Sequence, residues 1–284
     1  MLIPHRHLER TIPSVFLKIT GREPLGVLII GSAQRPQDFD EGSSLVDIVA
    51  VVSSKFSHAQ HVEIRRELVE TLGLDINLMI LTPDDLIELA KSNYHLSYYI
   101  AYDSTIVYGR GRLEGLRSEL RKILDPTGAV ETFKKLSLTH FSIALEYYLR
   151  GYYMDVANHL YKSLKTALIA FSASKGVLSF TNNALVKTAC NYLEEGEEIE
   201  GTLKLLKNER RNPVHSKKRS RMLIDKVSQF LCKLLQLDIS NARALVEGLR
   251  DFKPLQIALR LEGDKVRLDV KGLSSEGRYE KREL

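Results

Sequence analysis

The sequence predicts an α+β domain with a small mixed sheet flanked by helices, followed by an all-α helical bundle and a short C-terminal hairpin. Three observations support this fold class. Strand and helix patterns alternate over residues 1–125, and helical spacing dominates residues 126–236. Residues 237–284 combine a helix, a hairpin pattern and a polar tail that we expect to fray. A chain of 284 residues is long enough for these domains.

Short apolar and alternating runs mark the strands of the first domain. Residues 27–30 form an apolar run that ends at a glycine, and residues 45–52 are rich in β-branched side chains. Residues 74–80 alternate with period two, as a half-buried strand does. Residues 105–109 are predicted to form an edge strand.

The intervening segments carry helix signals. A helix is predicted from Ser57 to Leu72, where Gly73 stops it. Thr82-Pro83 has a capping threonine followed by a proline at the first helical position, so another helix begins there. We expect the extreme N-terminus, including His5 and His7, to be mobile.

Beyond Asp125-Pro126 the hydrophobic pattern becomes helical. In residues 152–175, apolar side chains recur at spacings of three and four, which is typical of one buried helix face. Similar patterns over 129–150, 181–194, 201–208 and 214–236 predict a small helical bundle. Two alternating runs then flank Glu262-Gly263-Asp264, which indicates a hairpin.

Composition limits the class of protein. Hydrophobic residues make up 44% and charged residues 27% of the chain, as in an ordinary soluble globular protein. Apolar runs of the ~20 residues needed to span a membrane are absent from the sequence, and the N-terminus lacks the apolar core of a signal peptide. The two cysteines have no metal-type spacing. We therefore expect a cytoplasmic protein that does not enter a membrane.

Gly31-Ser32 and two aspartates carry the chemistry of the first domain. A glycine at a strand end lets the backbone approach a ligand closely, and the serine hydroxyl can meet a phosphate. Asp47 and Asp75 lie on the next two predicted strands and would stand side by side if those strands pair. Carboxylates so placed hold magnesium ions on a nucleoside triphosphate. The alternative is an ordinary turn with two solvated aspartates.

At these residues the chain resembles the minimal nucleotidyltransferases of the polymerase-β-like superfamily, over about residues 20–120. Their signature is Gly-Ser at a strand end, Asp-x-Asp on the next strand and a third aspartate later. Gly31 and Ser32 match, and the resemblance implies nucleotide binding there. It also implies catalytic and metal-ligating roles for Asp47 and Asp75, with magnesium as cofactor.

Leu45 departs from this signature, because it stands where the first aspartate is expected. A leucine cannot bind a metal, so catalysis is predicted to be degenerate while nucleotide binding is retained. Residues in the preceding loop offer substitute carboxylates, namely Asp38, Asp40 and Glu41.

A second constellation lies in a basic segment of the helical region. Residues 207–221 contain seven lysines and arginines and one acid. Within it, Arg210 and His215 combine a phosphate-binding guanidinium with a proton-transferring imidazole. Such a pair can cleave RNA without metal, because RNA supplies its own 2′-hydroxyl nucleophile. Pro213 is predicted to begin the next helix, with His215 in its first turn. The alternative is a solvated basic face.

Within a helical bundle, Arg-x4-His resembles the HEPN family. The resemblance implies either a ribonuclease that acts as a homodimer through the bundle or an inactive partner module. Lys217 stands where the family's toxin members carry a tyrosine modified by AMP transfer. A nucleotidyltransferase domain followed by such a bundle is also similar in arrangement to kanamycin-type nucleotidyltransferases.

Three functions remain open from the sequence. The first is a nucleotidyltransferase-like protein that binds a magnesium nucleotide at Ser32, Asp47 and Asp75. The second is a metal-independent ribonuclease that uses Arg210 and His215, with RNA as its partner. The third is a catalytically inactive nucleotide-binding or interaction module, which Leu45 favours.

Overall fold

A computed structural model describes residues 5–35, 39, 45–249, 252–263 and 265–284. The chain divides into two compact units, Met1–Ala129 and Val130–Leu284. The fold is α+β, as predicted, and no helix within the described ranges is long and apolar enough to cross a membrane.

The first unit is built on a mixed four-stranded sheet. Its strands are β1 (Gly26–Ile30), β2 (Val46–Val51), β3 (Ile76–Leu81) and β4 (Ser104–Tyr108), in the order β3-β2-β1-β4. β1 runs antiparallel to both β2 and β4, whereas β2 and β3 are parallel. The predicted small mixed sheet is therefore confirmed, with β4 on its edge.

Five helices accompany this sheet among the described residues of the first unit. They are α1 (His5–Thr20), α2 (His58–Leu72), α3 (Pro83–Lys91), α4 (His95–Tyr102) and α5 (Arg110–Ile123). Ser57 and Thr82 form capping boxes at the starts of α2 and α3, and Gly73 ends α2 in a left-handed conformation. The two predicted helix starts are thus confirmed.

His5 and His7, expected in a mobile terminus, lie at the start of the packed helix α1, and residues 1–4 lie outside the described residues. Leu8, Ile12 and Phe16 of α1 recur at spacings of four and are buried in one cluster with strand residues such as Ile29 and Ile48. This apolar stripe is present in the sequence, but Pro13 lies inside the helix and disguises it.

The second unit begins within α6 (Pro126–Leu149) and centres on α7 (Tyr153–Ser174), most of whose residues are buried. Around α7 lie three further helices: α8 (Asn182–Tyr192), α9 (Gly196–Arg211) and α10 (Lys217–Leu235). Ser137 of α6 and Ser163 of α7 each donate a hydrogen bond to the other's backbone carbonyl, at 2.9 Å. These bonds satisfy two hydroxyls that are otherwise buried among apolar side chains.

A short helix, α11 (Ala242–Glu247), leads to a three-stranded antiparallel sheet rather than a simple hairpin. β5 (Phe252–Glu262) and β6 (Lys265–Ser274) form the predicted hairpin. The tail expected to fray is instead β7 (Tyr279–Glu283), which pairs with β6. Charged side chains made this tail look solvated, yet several of them form ion pairs across the sheet.

The centre of those ion pairs is Asp269 on β6. Its side chain is 2% exposed and lies within 3.0 Å of the Arg260 and Arg267 guanidinium nitrogens and 3.4 Å of Lys281 Nζ. A buried carboxylate needs such partners because the loss of its hydration is costly.

We predict that Asp269→Asn lowers the free energy of unfolding by about 1–3 kcal/mol, because charge-assisted hydrogen bonds are lost at a buried position. Urea unfolding measures the change. Glu276→Gln is the matched control, since the Glu276–Arg278 pair is largely exposed. An equal effect of the two substitutions would contradict a buried role for Asp269.

Candidate functional site

The Gly31-Ser32 turn sits directly at the end of β1. Gly31 adopts φ 72°, and Gly31–Gln34 forms a single 3-10 turn. A Cβ atom placed on Gly31 would lie 3.2 Å from Asp47 Oδ2. Glycine is favoured here for two reasons, because the left-handed backbone and the close carboxylate both disfavour a side chain.

Asp47 reaches the turn because of strand register. It lies opposite Ile30 across the β1–β2 ladder, one residue before the turn begins. The neighbouring Val46 and Ile48 point into the core with α1 and α2, so Asp47 lies on the other face of the sheet and is only half-buried. The structure therefore brings Gly31, Ser32 and Asp47 together at one end of β1 and β2.

Asn77 is the side chain directly beside Asp47. It lies opposite Asp47 in the parallel β2–β3 ladder, and its Nδ2 donates a 2.8 Å hydrogen bond to Asp47 Oδ1. This bond orients the Asp47 carboxylate without neutralising its charge. The alternating pattern of residues 74–80 includes Asn77, but only the register shows that it faces Asp47.

Asp75 is predicted to stand on this strand beside Asp47, and it lies just outside it. β3 begins at Ile76, and the Asp75 carbonyl accepts a 3.0 Å hydrogen bond from the Val46 N–H. Its side chain is exposed and lies on the same face as Asn77, because residues two apart in an extended chain point to the same side. The first pair of the β2–β3 ladder is Val46 and Ile76, so the preceding residues, Leu45 and Asp75, lie level with each other. Leu45 is 49% exposed.

The donor set has only two described carboxylates, Asp47 and Asp75. Asp38, Asp40 and Glu41 lie outside the described residues. Across the part of the chain that is described, no three His, Cys, Asp or Glu side chains converge into a metal-binding group. Magnesium commonly keeps several waters and binds through one or two carboxylates plus substrate phosphates. These residues therefore fit an ion that arrives with a polyphosphate, and they do not form a complete protein cage.

Four residues that the sequence analysis did not single out hold the other side of the turn. Gln34 Nε2 donates to the Asp103 carbonyl at 2.8 Å, and Thr105 Oγ1 donates to Gln34 Oε1 at 2.9 Å. Arg35 Nη1 is hydrogen-bonded to Asp103 Oδ1. Gln34 and Arg35 are far from Asp103 and Thr105 in the sequence, so only the β1–β4 pairing reveals the contact.

In the second unit, Arg210 lies near the end of α9, and His215 lies in the connection between α9 and α10. Arg210 is in the last turn of α9, and its guanidinium lies 4.7 Å from the Tyr161 ring centroid. The His215 ring lies 5.7 Å from that of Tyr153 and is exposed. Because Tyr153 and Tyr161 are eight residues apart on α7, their positions differ by about 12 Å along its axis. Arg210 and His215 thus contact different tyrosines, which lie about two turns apart on α7.

His215 is not in a helix, so its predicted place in a first turn is wrong. Residues 212–216 connect the two helices, and α10 begins at Lys217. The cap is Ser216, whose hydroxyl accepts a 3.3 Å hydrogen bond from the Arg219 N–H. Pro213 is therefore part of the connection and does not begin the helix. The capping hydroxyl of α10 comes from Ser216.

The basic segment is only partly a free cationic surface. Buried Glu209 forms an ion pair with Arg219 at 2.9 Å, and this pair neutralises one arginine of the basic segment. Lys217, Lys218 and Arg221 are exposed, and no ion pair to them is found among the described residues. These three cations remain available to an anionic partner.

Comparisons with known proteins leave the family open. No family model matches the chain, and no curated protein sequence matches it. A solved structure of a nucleotidyltransferase-like protein from Exiguobacterium sibiricum 255-15 aligns with 13% sequence identity and a TM-score of 0.33. The alignment covers 87% of this chain and 82% of that chain. A similarity of this size does not assign a function to the chain.

We predict that Gly31→Ala destabilises the first unit more than Gly73→Ala. Both glycines have positive φ, so each substitution costs about 1–2 kcal/mol of backbone strain. A Cβ at Gly73 meets nothing within 4 Å, whereas a Cβ at Gly31 crowds Asp47. Chemical denaturation of the two variants measures the difference. Equal losses would contradict the close approach of the turn to Asp47.

Proposed function

We propose that the first unit binds a magnesium nucleoside triphosphate at the Gly31-Ser32 turn. The observation that carries this proposal is the left-handed backbone of Gly31 at the end of β1. A Cβ atom built on Gly31 would lie 3.2 Å from Asp47 Oδ2. A turn whose backbone amides and hydroxyl lie beside a carboxylate suits a polyphosphate accompanied by a cation.

Each residue has a distinct part in this proposal. The turn backbone and the Ser32 hydroxyl donate hydrogen bonds to phosphate oxygens. Asp47 and Asp75 supply carboxylate oxygens to magnesium, and Asn77 keeps the Asp47 carboxylate oriented through their 2.8 Å bond. When bound, magnesium neutralises phosphate charge and favours attack on the phosphorus.

The same residues favour binding over transfer. Leu45 adds no oxygen ligand, and Asn77 is a neutral amide where a carboxylate would strengthen metal binding. We therefore propose a nucleotidyltransferase-like domain degenerate in catalysis, with weak nucleotidyl transfer or none. An inactive nucleotide-binding module is the form of the proposal that these residues support best.

Asp47→Asn should weaken magnesium-dependent binding of ATP about tenfold or more, because a charged ligand to the ion is lost while the shape of the side chain is kept. Titration calorimetry with and without EDTA measures this. Asp84→Asn is the matched control, an exposed carboxylate in the first turn of α3.

Two outcomes would count against the proposal. One is the absence of ATP binding by the unaltered protein at millimolar nucleotide. The other is equal affinity of the Asp47 and Asp84 variants. Leu45→Asp provides a complementary gain-of-function variant, because it places a third carboxylate level with Asp75 and should tighten the metal-dependent binding.

A second candidate function is a metal-independent ribonuclease in the second unit. The favouring observation is that exposed His215 is followed by the exposed cations Lys217, Lys218 and Arg221. Arg210 and His215 contact different tyrosines, which lie about two turns apart on α7, and the resemblance to HEPN ribonucleases implies a dimer. We therefore propose that such a site would combine residues from two copies in a homodimer.

If this second function is correct, single-stranded RNA should be cleaved in EDTA, and His215→Ala should abolish the cleavage without changing thermal unfolding, because the side chain is exposed. Arg210→Lys should also abolish cleavage, since an ammonium cannot reproduce bidentate phosphate binding. His58→Ala, at an exposed site in the first unit, is the control. Cleavage that survives His215→Ala excludes this mechanism.

A further inference from the structure

The 3-10 turn that carries Gly31 and Ser32 has little to stabilise it from within. It is four residues long, none of its residues is fully buried, and a single turn of this kind has poor hydrogen-bond geometry. A backbone bond from the Arg35 N–H to the Ser32 carbonyl, at 2.9 Å, closes its C-terminal end. Its position therefore depends on what its side chains contact as well as on its own backbone.

Those contacts form what we call the β4 anchor, consisting of Gln34, Arg35, Asp103 and Thr105. The Gln34 carboxamide is used at both ends, since Nε2 donates to the Asp103 carbonyl and Oε1 accepts from Thr105 Oγ1. Arg35 and Asp103 form an ion pair whose side chains are each 10% exposed. Each of these bonds joins the end of the turn to the start of β4.

A buried ion pair adds little net stability, because desolvation of both charges offsets their attraction. It does impose a defined geometry, because displacing either side chain breaks a hydrogen-bonded ion pair at a buried position. The same holds for the Gln34 carboxamide, because a turn that moves away from β4 must break both of its hydrogen bonds. The effect of the β4 anchor is thus to fix the position of the turn.

The geometry of the two sides is complementary. β1 lies between β2 and β4, so the β4 anchor holds the turn from one neighbouring strand while Asp47 faces it from the other. A turn that moved towards β2 would crowd Asp47, and one that moved away would break the Gln34 bonds.

We propose that Gln34, Arg35, Asp103 and Thr105 are positioning residues for the polyphosphate group of a nucleotide, which they do not themselves contact. They hold the Ser32 hydroxyl and the turn amides at a fixed distance from Asp47, so the site is preorganised before the ligand arrives. This inference rests on the proposed nucleotide binding of the first unit.

Thr105→Val tests it, because it removes one hydrogen bond to Gln34 without a change in shape. Tyr108→Phe is the matched control on the same strand, where it removes the 2.7 Å bond from Tyr108 Oη to Glu23. We expect Thr105→Val to weaken magnesium-ATP binding about three- to tenfold, and Tyr108→Phe to leave it unchanged. Gln34→Met, which removes both bonds of the carboxamide, should weaken binding further.

Amide hydrogen exchange gives a readout that general destabilisation would not produce. In the ligand-free protein, Thr105→Val should speed exchange of the Arg35 amide, which closes the turn, relative to the amides within β1. Tyr108→Phe should not change that ratio.

The outcomes separate the two claims. If the unaltered protein binds ATP and Thr105→Val matches Tyr108→Phe in affinity and in Arg35 exchange, the positioning role is wrong and the proposed function stands. If the unaltered protein binds no ATP, the proposed function fails and the positioning role fails with it.

Discussion

The left-handed backbone of Gly31 is the constraint on which the candidate site depends. It ends β1, begins the 3-10 turn and leaves room for the Asp47 carboxylate, 3.2 Å from where a Cβ would stand. Any other residue would be strained at this φ and would push against Asp47. Strand register and anchoring contacts then place Asn77 on one side and Gln34 on the other.

This arrangement gives binding a better physical basis than catalysis. In the proposed site, the turn would donate hydrogen bonds to a polyphosphate, and Asp47 and Asp75 would hold the cation that compensates its charge. Transfer needs more carboxylate charge to hold metal at the reacting phosphorus, and Leu45 and Asn77 do not supply it. The second unit carries its own cationic surface, but Arg210 and His215 contact α7 about two turns apart.

Local signals in the sequence predict much of the fold. Ser57, Thr82 and Gly73 mark helix ends because capping depends on a few neighbouring residues. α1 was missed because Pro13 interrupts its pattern, and β7 was missed because its charges pair only across a sheet. Gly31, Ser32 and Asp47 are identifiable from spacing. Asn77 and the β4 anchor are not, because strand register brings together residues that are far apart in the chain.

The most direct test of the account locates the bound metal. Manganese replaces magnesium on ATP and broadens the NMR signals of nearby nuclei. We expect the amide signals of Gly31, Ser32 and Asp47 to broaden first, with those of residues 75–77 next, while signals from the far end of β1 near Gly26 persist. Broadening elsewhere in the chain, or none at saturating nucleotide, would contradict a nucleotide site at the Gly31 turn.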